Sequence, residues 1–276
     1  MKRYLKLVNF EFNRFFKLYL VLIGMTILIQ MIGVIFESQQ YLNRANKLIY
    51  EELIPKGDFI EQYGTMSFFN ISQTAWFMGP IVVCGVILLI YIFFIWYRDW
   101  LGKNTFSYRL FMLPTARLHI YLAKATMIFL CILGMVAIQL LLIPVESQVL
   151  QWMVPSEFRT DLSVKEITSI QYLAMLFPEN FIEFMLYYSA GIAAVSIIFT
   201  AIMFERAFRL KGVFYGILYI AVSLFILLVP MLVDDLILNY YFYPLELFFI
   251  ELGTAFIVLA GAIWTGNFLI KNKVRV

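Results

Sequence analysis

The chain alternates between long apolar runs and shorter polar segments, and the apolar runs have the length of membrane-spanning helices. A helix that crosses a hydrocarbon core of about 30 Å needs about 20 residues. Six runs meet this length, at residues 18–36, 76–97, 125–145, 181–204, 213–232 and 252–270. The pattern predicts an all-α integral membrane protein in which a single domain, residues 1–276, contains six transmembrane helices.

The composition agrees with a location in the bilayer. Hydrophobic residues make up 63% of the chain, charged residues make up 14%, and the mean hydropathy is +0.85. A soluble globule of this size needs more polar surface than that. The first run is followed by the polar residues 37–40 rather than by small residues of a cleavage site. We therefore interpret it as a retained first span.

Charge is sorted along the chain in a way that predicts the topology. Of the 21 Lys and Arg, 16 lie in four blocks, at residues 2–17, 98–124, 206–211 and 271–275. Only three of the 18 carboxylates lie in or directly beside these blocks, namely Glu11, Asp99 and Glu205. Basic loops stay on the cytoplasmic side of a membrane. We expect a multi-pass protein of the cell membrane with both termini in the cytoplasm.

Residues 1–17 have the pattern of an amphipathic helix that lies at the membrane interface. Apolar positions recur at spacings of three and four, at Leu5, Val8, Phe12, Phe15 and Tyr19. The opposite stripe carries cations, at Lys2, Lys6 and Lys17. A helix of this kind places its cations near anionic headgroups or a cytoplasmic partner and its aromatic face, including Phe12, against lipid or the spans. A simple topology anchor is the alternative.

Two long polar segments lie on the predicted outer side, at residues 37–75 and 146–180. Both are long for loops without structure of their own, so we expect small helical caps there. A third outer stretch, residues 233–251, is too polar for a seventh span and too apolar for a free loop. It predicts helical pieces near the outer interface, and whether they re-enter the membrane stays open.

The sequence offers little that could perform covalent chemistry. The segment Gly102-Lys103-Asn104 lacks the other residues of a phosphate-binding loop, and a single histidine, His119, cannot build a multi-histidine metal site. Charges deep in the spans are nearly absent, and we expect Lys124 to extend toward the membrane surface. The sequence therefore predicts no catalytic residue, no cofactor and no metal in this chain, and the energy for any transport would come from elsewhere.

The connection between the second and third predicted spans is the most informative polar element. After Arg98 and Asp99, the sequence predicts a short helix that ends near Pro114. One face of that helix is apolar, with Phe106, Leu110 and Leu113. A short helix held between two spans is a rigid lever through which a partner moves both spans. A loop packed on the headgroups is the alternative.

Small residues in the later spans predict close helix packing. Gly212 and Gly216 form a G-x-x-x-G pattern at the start of the fifth span. Small residues let helix backbones approach closely in lipid. The pattern leaves two alternatives open, packing within the chain and contact between two copies of it.

In their order, these elements resemble the ABC type-2 exporter permeases. The resemblance rests on the basic amphipathic helix, the cytoplasmic helix followed by residues 113–117 and 121–124, and the acidic broken segment before the sixth span. It implies a half-transporter that dimerises, as a homodimer or heterodimer, and binds one ABC ATPase subunit per permease, with ATP and Mg in that partner. The helix from Phe106 to Met112, with Arg109, would be the coupling helix, residues 1–17 the connector helix, and Asp99 the acidic residue of the connection.

Two functions follow as hypotheses. The first is export of an amphipathic substrate, such as a peptide, a lipid-like molecule or a drug, across a bacterial plasma membrane; the phenol-soluble-modulin exporters are the specific case it resembles. The second is a non-transporting membrane scaffold or sensor that recruits a cytoplasmic partner. Neither involves nucleic acid, and neither makes this chain an enzyme.

Overall fold

The computed structural model describes residues 2–100, 110, 112, 116–236 and 241–273. Almost all of them are helical. The helices are α1 Lys2–Asn46, α2 Lys56–Tyr63, α3 Phe68–Ser72, α4 Ala75–Trp100, α5 Arg117–Met153, α6 Val164–Thr168, α7 Gln171–Ala174, α8 Phe181–Phe208, α9 Leu210–Leu236 and α10 Pro244–Asn272. A π-helical turn, Lys47–Glu51, follows α1, and a 3₁₀ turn, Ser156–Phe158, follows α5. Two short strands, β1 Met66–Ser67 and β2 Arg159–Thr160, pair in parallel with Met66 opposite Arg159.

The predicted fold class is confirmed: this is an all-α membrane protein. Six helices are long and apolar enough to cross a membrane, namely α1, α4, α5, α8, α9 and α10. Each of the six predicted ranges lies within one of them. Within the described residues, strand is limited to β1 and β2.

The N-terminal amphipathic segment is continuous with the first span. We predicted a separate interfacial helix over residues 1–17, whereas α1 runs unbroken from Lys2 to Asn46. The physical reason lies in the sequence, because no proline or glycine occurs between Lys2 and Ile23. At about 1.5 Å per residue, α1 is far longer than the hydrocarbon core is thick.

Helix α5 also exceeds its predicted span. The prediction ended the third span at Val145, beside Pro144, but the helix continues to Met153. Proline within a membrane helix is tolerated where the surroundings satisfy the freed backbone group. The extension brings Glu146, which we had assigned to a polar outer segment, into the helix and leaves it fully buried.

The chain divides into two compact units, and α1, α4 and α5 contribute residues to both. Unit 1 consists of Met1–Arg14, Leu88–Leu130 and Asn180–Val276. Unit 2 consists of Phe15–Ile87 and Cys131–Glu179.

Unit 2 contains the segments for which helical caps were predicted, and the helices α2, α3, α6 and α7 lie in them. Its core packs buried side chains from α1, α3, α4, α5 and the short helices, with Val34, Phe77 and Ile143 among them. Ser163 and Glu166 form a capping box at the start of α6, and hydrogen bonds from the Ser163 backbone and hydroxyl hold the pKa of Glu166 below its usual 4.5.

Unit 1 is built around α8, α9 and α10. Gly212 and Gly216 of α9 pack against α8 of the same chain: a Cβ at Gly212 would lie less than 3.0 Å from the Phe204 carbonyl oxygen, and one at Gly216 would lie 3.0 Å from the Ala201 carbonyl oxygen. The two glycines therefore serve close packing within the chain. The alternative, contact between two copies, remains a prediction without support from this geometry.

The stretch from residue 233 to residue 251 is shared between two helices. It supplies the end of α9 and the start of α10, while residues 237–240 lie outside the described part of the chain. Asp234 is buried and accepts a hydrogen bond from the Phe242 backbone N–H at 3.1 Å. Tyr243 and Glu246 form a capping box at the start of α10.

Candidate coupling site: a buried ion-pair network

Three helices of unit 1 bring charged side chains together at one place. Glu11 and Arg14 lie one turn apart on α1, Arg98 and Asp99 lie in the last turn of α4, and Lys124 lies in the second turn of α5. The connection that joins α4 to α5 starts directly after these α4 residues. The network therefore lies at both ends of the segment for which a coupling helix was predicted.

Lys124 is the centre of this network. Its ammonium nitrogen Nζ lies 2.7 Å from Glu11 Oε1, 2.5 Å from Asp99 Oδ2 and 3.1 Å from the Ile95 carbonyl oxygen. A lysine ammonium has three donors, so each of them has an acceptor. Its side chain is 0% exposed. The expectation that Lys124 extends toward the membrane surface was wrong, because two carboxylates in its own unit hold the ammonium inside the protein.

Two arginines complete the pairing of the carboxylates. Arg14 Nη1 donates to Asp99 Oδ1 at 2.7 Å, and Arg98 Nη2 donates to Glu11 Oε2 at 2.9 Å. Every carboxylate oxygen of Glu11 and Asp99 thus receives a charge-assisted hydrogen bond. Both arginines are partly exposed, whereas both carboxylates are almost fully buried.

The pairing has a large energetic consequence. Each buried ion loses the solvation it has in water, and the network is stable only because each charge has partners at hydrogen-bond distance. Three cations against two carboxylates leave one net positive charge, carried on the partly exposed arginines. Removal of a single buried member would leave an uncompensated charge in the interior.

Aromatic side chains of α4 lie beside the network and also contact α8. Lys124 Nζ lies 5.1 Å from the centroid of the Trp96 ring. At the end of α8, the guanidinium of Arg206 lies 4.7 Å from the ring centroids of both Tyr97 and Trp100. The Tyr97 hydroxyl donates to Glu205. The last turns of α4 thereby bind to both α5 and α8.

The first turns of α5 are fixed by further contacts. The Tyr121 hydroxyl donates to the Ser196 carbonyl of α8 at 2.8 Å, and Arg117 donates to the Ile270 carbonyl in the last turn of α10 at 2.9 Å. Tyr4 of α1 lies 2.6 Å, oxygen to oxygen, from the Thr126 hydroxyl, and its ring meets the His119 ring edge-on. The structure therefore ties the start of α5 to three other helices.

The predicted coupling residues fall into two groups. Asp99 is described, and it is 2% exposed inside the network, so its carboxylate contacts this chain rather than a surface. Leu110 is 4% exposed, whereas Met112 is 65% exposed. Phe106, Arg109 and Leu113 lie outside the described residues, and their role stays a prediction.

The predicted interfacial residues differ in exposure. Lys6 and Lys17 are exposed, Phe12 is partly buried, and the side chain of Lys2 lies outside the described set. The buried face of this segment contains Val8, Glu11 and Phe15. The inward face is therefore not purely apolar, since it carries the carboxylate that binds Lys124.

Sequence reasoning did not recognise Glu11, Arg14, Arg98 and Lys124 as one site. A signal was present, however, since only three carboxylates occur in or beside the four basic blocks. Two of them, Glu11 and Asp99, form the network, and the third, Glu205, accepts from Tyr97. An isolated carboxylate among many cations is a candidate for an internal ion pair.

Comparisons with known proteins do not assign the chain to a family. No protein-family model matches it, and no curated protein or solved structure matches it at a significant level. Among the described residues, no group of three His, Cys, Asp or Glu is placed to hold a metal ion. The arrangement supports a mechanical role, which is to hold three helices together beside a polar connection.

Proposed function

We propose that this chain is the transmembrane permease subunit of an ATP-driven ABC exporter, with ATP hydrolysis in a separate partner. One observation carries the proposal: the buried network joins α1 to both helices that flank residues 101–116. A force applied by a partner to that connection would reach α1, α4 and α5 together, because Glu11, Asp99 and Lys124 hold these helices as one body in unit 1.

The remaining features of the proposal follow from charge and hydropathy. The four basic blocks, including the network, lie on the cytoplasmic side, so the connection between α4 and α5 faces the cytoplasm. Two copies would form a pathway lined by aliphatic and aromatic side chains. Such a pathway suits an amphipathic cargo, for example a peptide or a lipid-like molecule.

A matched pair of substitutions tests the site of coupling. Met112→Asp places a carboxylate on the connection between α4 and α5, while Met175→Asp makes the same change in unit 2. Their side chains are 65% and 67% exposed, so neither substitution disturbs a core. Leu110 is unsuitable for this purpose, because a carboxylate at a buried position would affect folding.

The measurement is copurification of the permease with its ATPase from membranes, followed by ATPase activity in reconstituted vesicles with candidate cargo. We expect Met112→Asp to reduce the bound ATPase or its cargo-stimulated activity about tenfold or more, and Met175→Asp to leave both unchanged. Equal behaviour of the two variants would remove the coupling assignment. A stably bound partner that hydrolyses no nucleotide would replace export with the scaffold alternative.

A further inference from the structure

Arg206, in the last turn of α8, contacts aromatic rings but has no anionic partner in this chain. Its guanidinium carbon Cζ lies 4.7 Å from the ring centroids of both Tyr97 and Trp100, which lie one turn apart at the end of α4. All 18 side-chain carboxylates of the protein lie in the described part of the chain, and none of them forms an ion pair with Arg206. The neighbouring carboxylate, Glu205, accepts from the Tyr97 hydroxyl. No direct contact therefore balances the charge of Arg206.

The hydrogen-bond donors of Arg206 have no acceptor within the described residues. An aromatic ring attracts a guanidinium through its face, whereas the five N–H donors lie in the guanidinium plane. Nε is shielded from solvent and has no hydrogen-bond partner in that part of the chain, although the residue as a whole is only partly buried. A shielded donor without a partner is uncommon, because it has lost its hydrogen bonds to water. The rings thus position a cation whose donors remain available to a ligand.

The residues that follow Arg206 are cationic and apolar. No carboxylate occurs from Arg206 to Lys211, and both Arg209 and Lys211 are exposed. Leu210 is 90% exposed and Phe214 is 66% exposed. Exposed cations beside large exposed apolar side chains are typical of a surface that meets lipid headgroups and acyl chains together. A soluble anion would match the cations alone and leave the apolar side chains in water.

The charge pattern predicts which leaflet this surface meets. Residues 206–211 form one of the four basic blocks, and such blocks stay on the cytoplasmic side. Anionic phospholipids give the cytoplasmic leaflet its negative surface potential, and basic pockets between membrane helices bind their headgroups. A phosphate group fits the planar fork of an arginine, which binds it through two parallel N–H···O bonds. The chemistry at Arg206 therefore matches the headgroup of an anionic lipid.

We propose that Arg206, positioned by Tyr97 and Trp100, binds the phosphate of an anionic phospholipid in the cytoplasmic leaflet. Arg209 and Lys211 supply the further positive charge that selects an anionic headgroup, such as that of phosphatidylglycerol, over a zwitterionic one. The inference goes beyond the proposed export function, because it concerns lipid contact at the ends of α4 and α8 and no step of nucleotide hydrolysis.

Native mass spectrometry of the purified full-length chain in detergent micelles tests the site. The chain is titrated with phosphatidylglycerol or with phosphatidylcholine of the same acyl chains, and a third titration adds inorganic phosphate as a competitor. We expect the first phosphatidylglycerol to bind about tenfold more tightly than the first phosphatidylcholine, because each nearby cation favours the anionic headgroup. Inorganic phosphate should leave the bound lipid in place.

Two variants and one control locate the binding. Arg206→Gln should weaken phosphatidylglycerol binding about tenfold, because a neutral amide replaces the charge-assisted pair. Arg206→Lys keeps the charge without the planar fork and should have an intermediate affinity. Arg44→Gln removes an exposed arginine near the end of α1 and should leave lipid binding unchanged. If a variant does not fold, the comparison of the two lipids on the unaltered chain still decides the matter.

Three outcomes would overturn the proposal: equal affinity for the two lipids, phosphatidylglycerol binding that is unchanged in Arg206→Gln, or displacement of the lipid by inorganic phosphate. The last would make this a site for a free anion. If Arg206→Gln reduces the amount of copurified ATPase and leaves lipid binding unchanged, Arg206 binds the partner protein and not lipid. The titration uses the chain without an ATPase, so its failure would leave the export function untouched, and failure of the export function would leave the lipid site untouched.

Discussion

At the scale of single residues, Lys124 determines whether the buried ion-pair network holds together. Its ammonium group bridges Glu11 and Asp99 and has no exposed surface. Ion pairs on a protein surface contribute little to stability, but the loss of one partner from a buried pair leaves a charge that nothing compensates. A substitution of one buried member of the network therefore has a large electrostatic consequence.

We expect Lys124→Met to lower the free energy of unfolding by about 3 to 5 kcal/mol, since two buried carboxylates then lose their shared cation. Lys17→Met removes an exposed cation from α1 and serves as the control. Denaturant titration of both purified variants measures the difference. Adding Glu11→Gln to Lys124→Met should restore part of the loss, and equal stability of Lys124→Met and the control would contradict the role of the network.

The sequence analysis identified only some residues of the network as parts of a site. Asp99 was selected through a resemblance, and the structure places it in the network without testing that resemblance. Glu11 was counted among the carboxylates but given no role, and Lys124 was expected at the surface because that is the usual environment of an isolated lysine near a span. The contacts between them join residues more than a hundred positions apart, and no local pattern specifies such a pairing.

At the scale of elements, the two glycines of α9 set the distance between α8 and α9. Gly212 and Gly216 let the α9 backbone lie against the carbonyl groups of Phe204 and Ala201. Aromatic contacts continue the pairing, with the Phe204 and Tyr219 rings 5.5 Å apart. The G-x-x-x-G pattern thus corresponds to packing within one chain.

We expect Gly212→Ala to lower the free energy of unfolding by about 1 to 3 kcal/mol, because its Cβ would overlap the α8 backbone. Gly191→Ala is the matched control on α8, where a Cβ would meet nothing within 4 Å. There alanine should raise stability by about 0.5 to 1 kcal/mol through its higher helix propensity. In a thermal unfolding assay, a loss of stability in Gly212→Ala together with a gain in Gly191→Ala would support this packing. Equal changes in stability in the two variants would contradict it.

The sequence predicted the helices better than it predicted the residues of the network. Apolar runs of about 20 residues correspond to membrane helices because the bilayer itself imposes that length. The ends of the helices were predicted less well. Helix α5 passes Pro144 and includes Glu146 because the core of unit 2 buries that face, and hydropathy along the chain does not report such burial.

At the scale of the whole molecule, the charge pattern predicts the orientation in the membrane. The concentration of Lys and Arg in the four basic blocks predicts that the connection between α4 and α5 lies in the cytoplasm. The two free cysteines of the chain, Cys84 and Cys131, are both buried. Labelling of an introduced, exposed cysteine can therefore be measured with little labelling of these two native cysteines.

We expect Met175→Cys to react with a membrane-impermeant maleimide in intact cells and Met112→Cys to react only after permeabilisation. Their similar exposure means that a difference in labelling reports the side of the membrane and not burial. Mass-tagged maleimide and gel electrophoresis measure the labelled fraction. Labelling of Met112→Cys in intact cells would reverse the orientation and remove the basis for a cytoplasmic ATPase partner.

The connection between α8 and α9 bears on how the protein is made. The helices end at Phe208 and begin at Leu210, so one residue joins them, and Arg209 makes the reversal at a positive φ of 56°. We expect this short joint to favour entry of α8 and α9 into the lipid as one helical hairpin rather than as two independent spans.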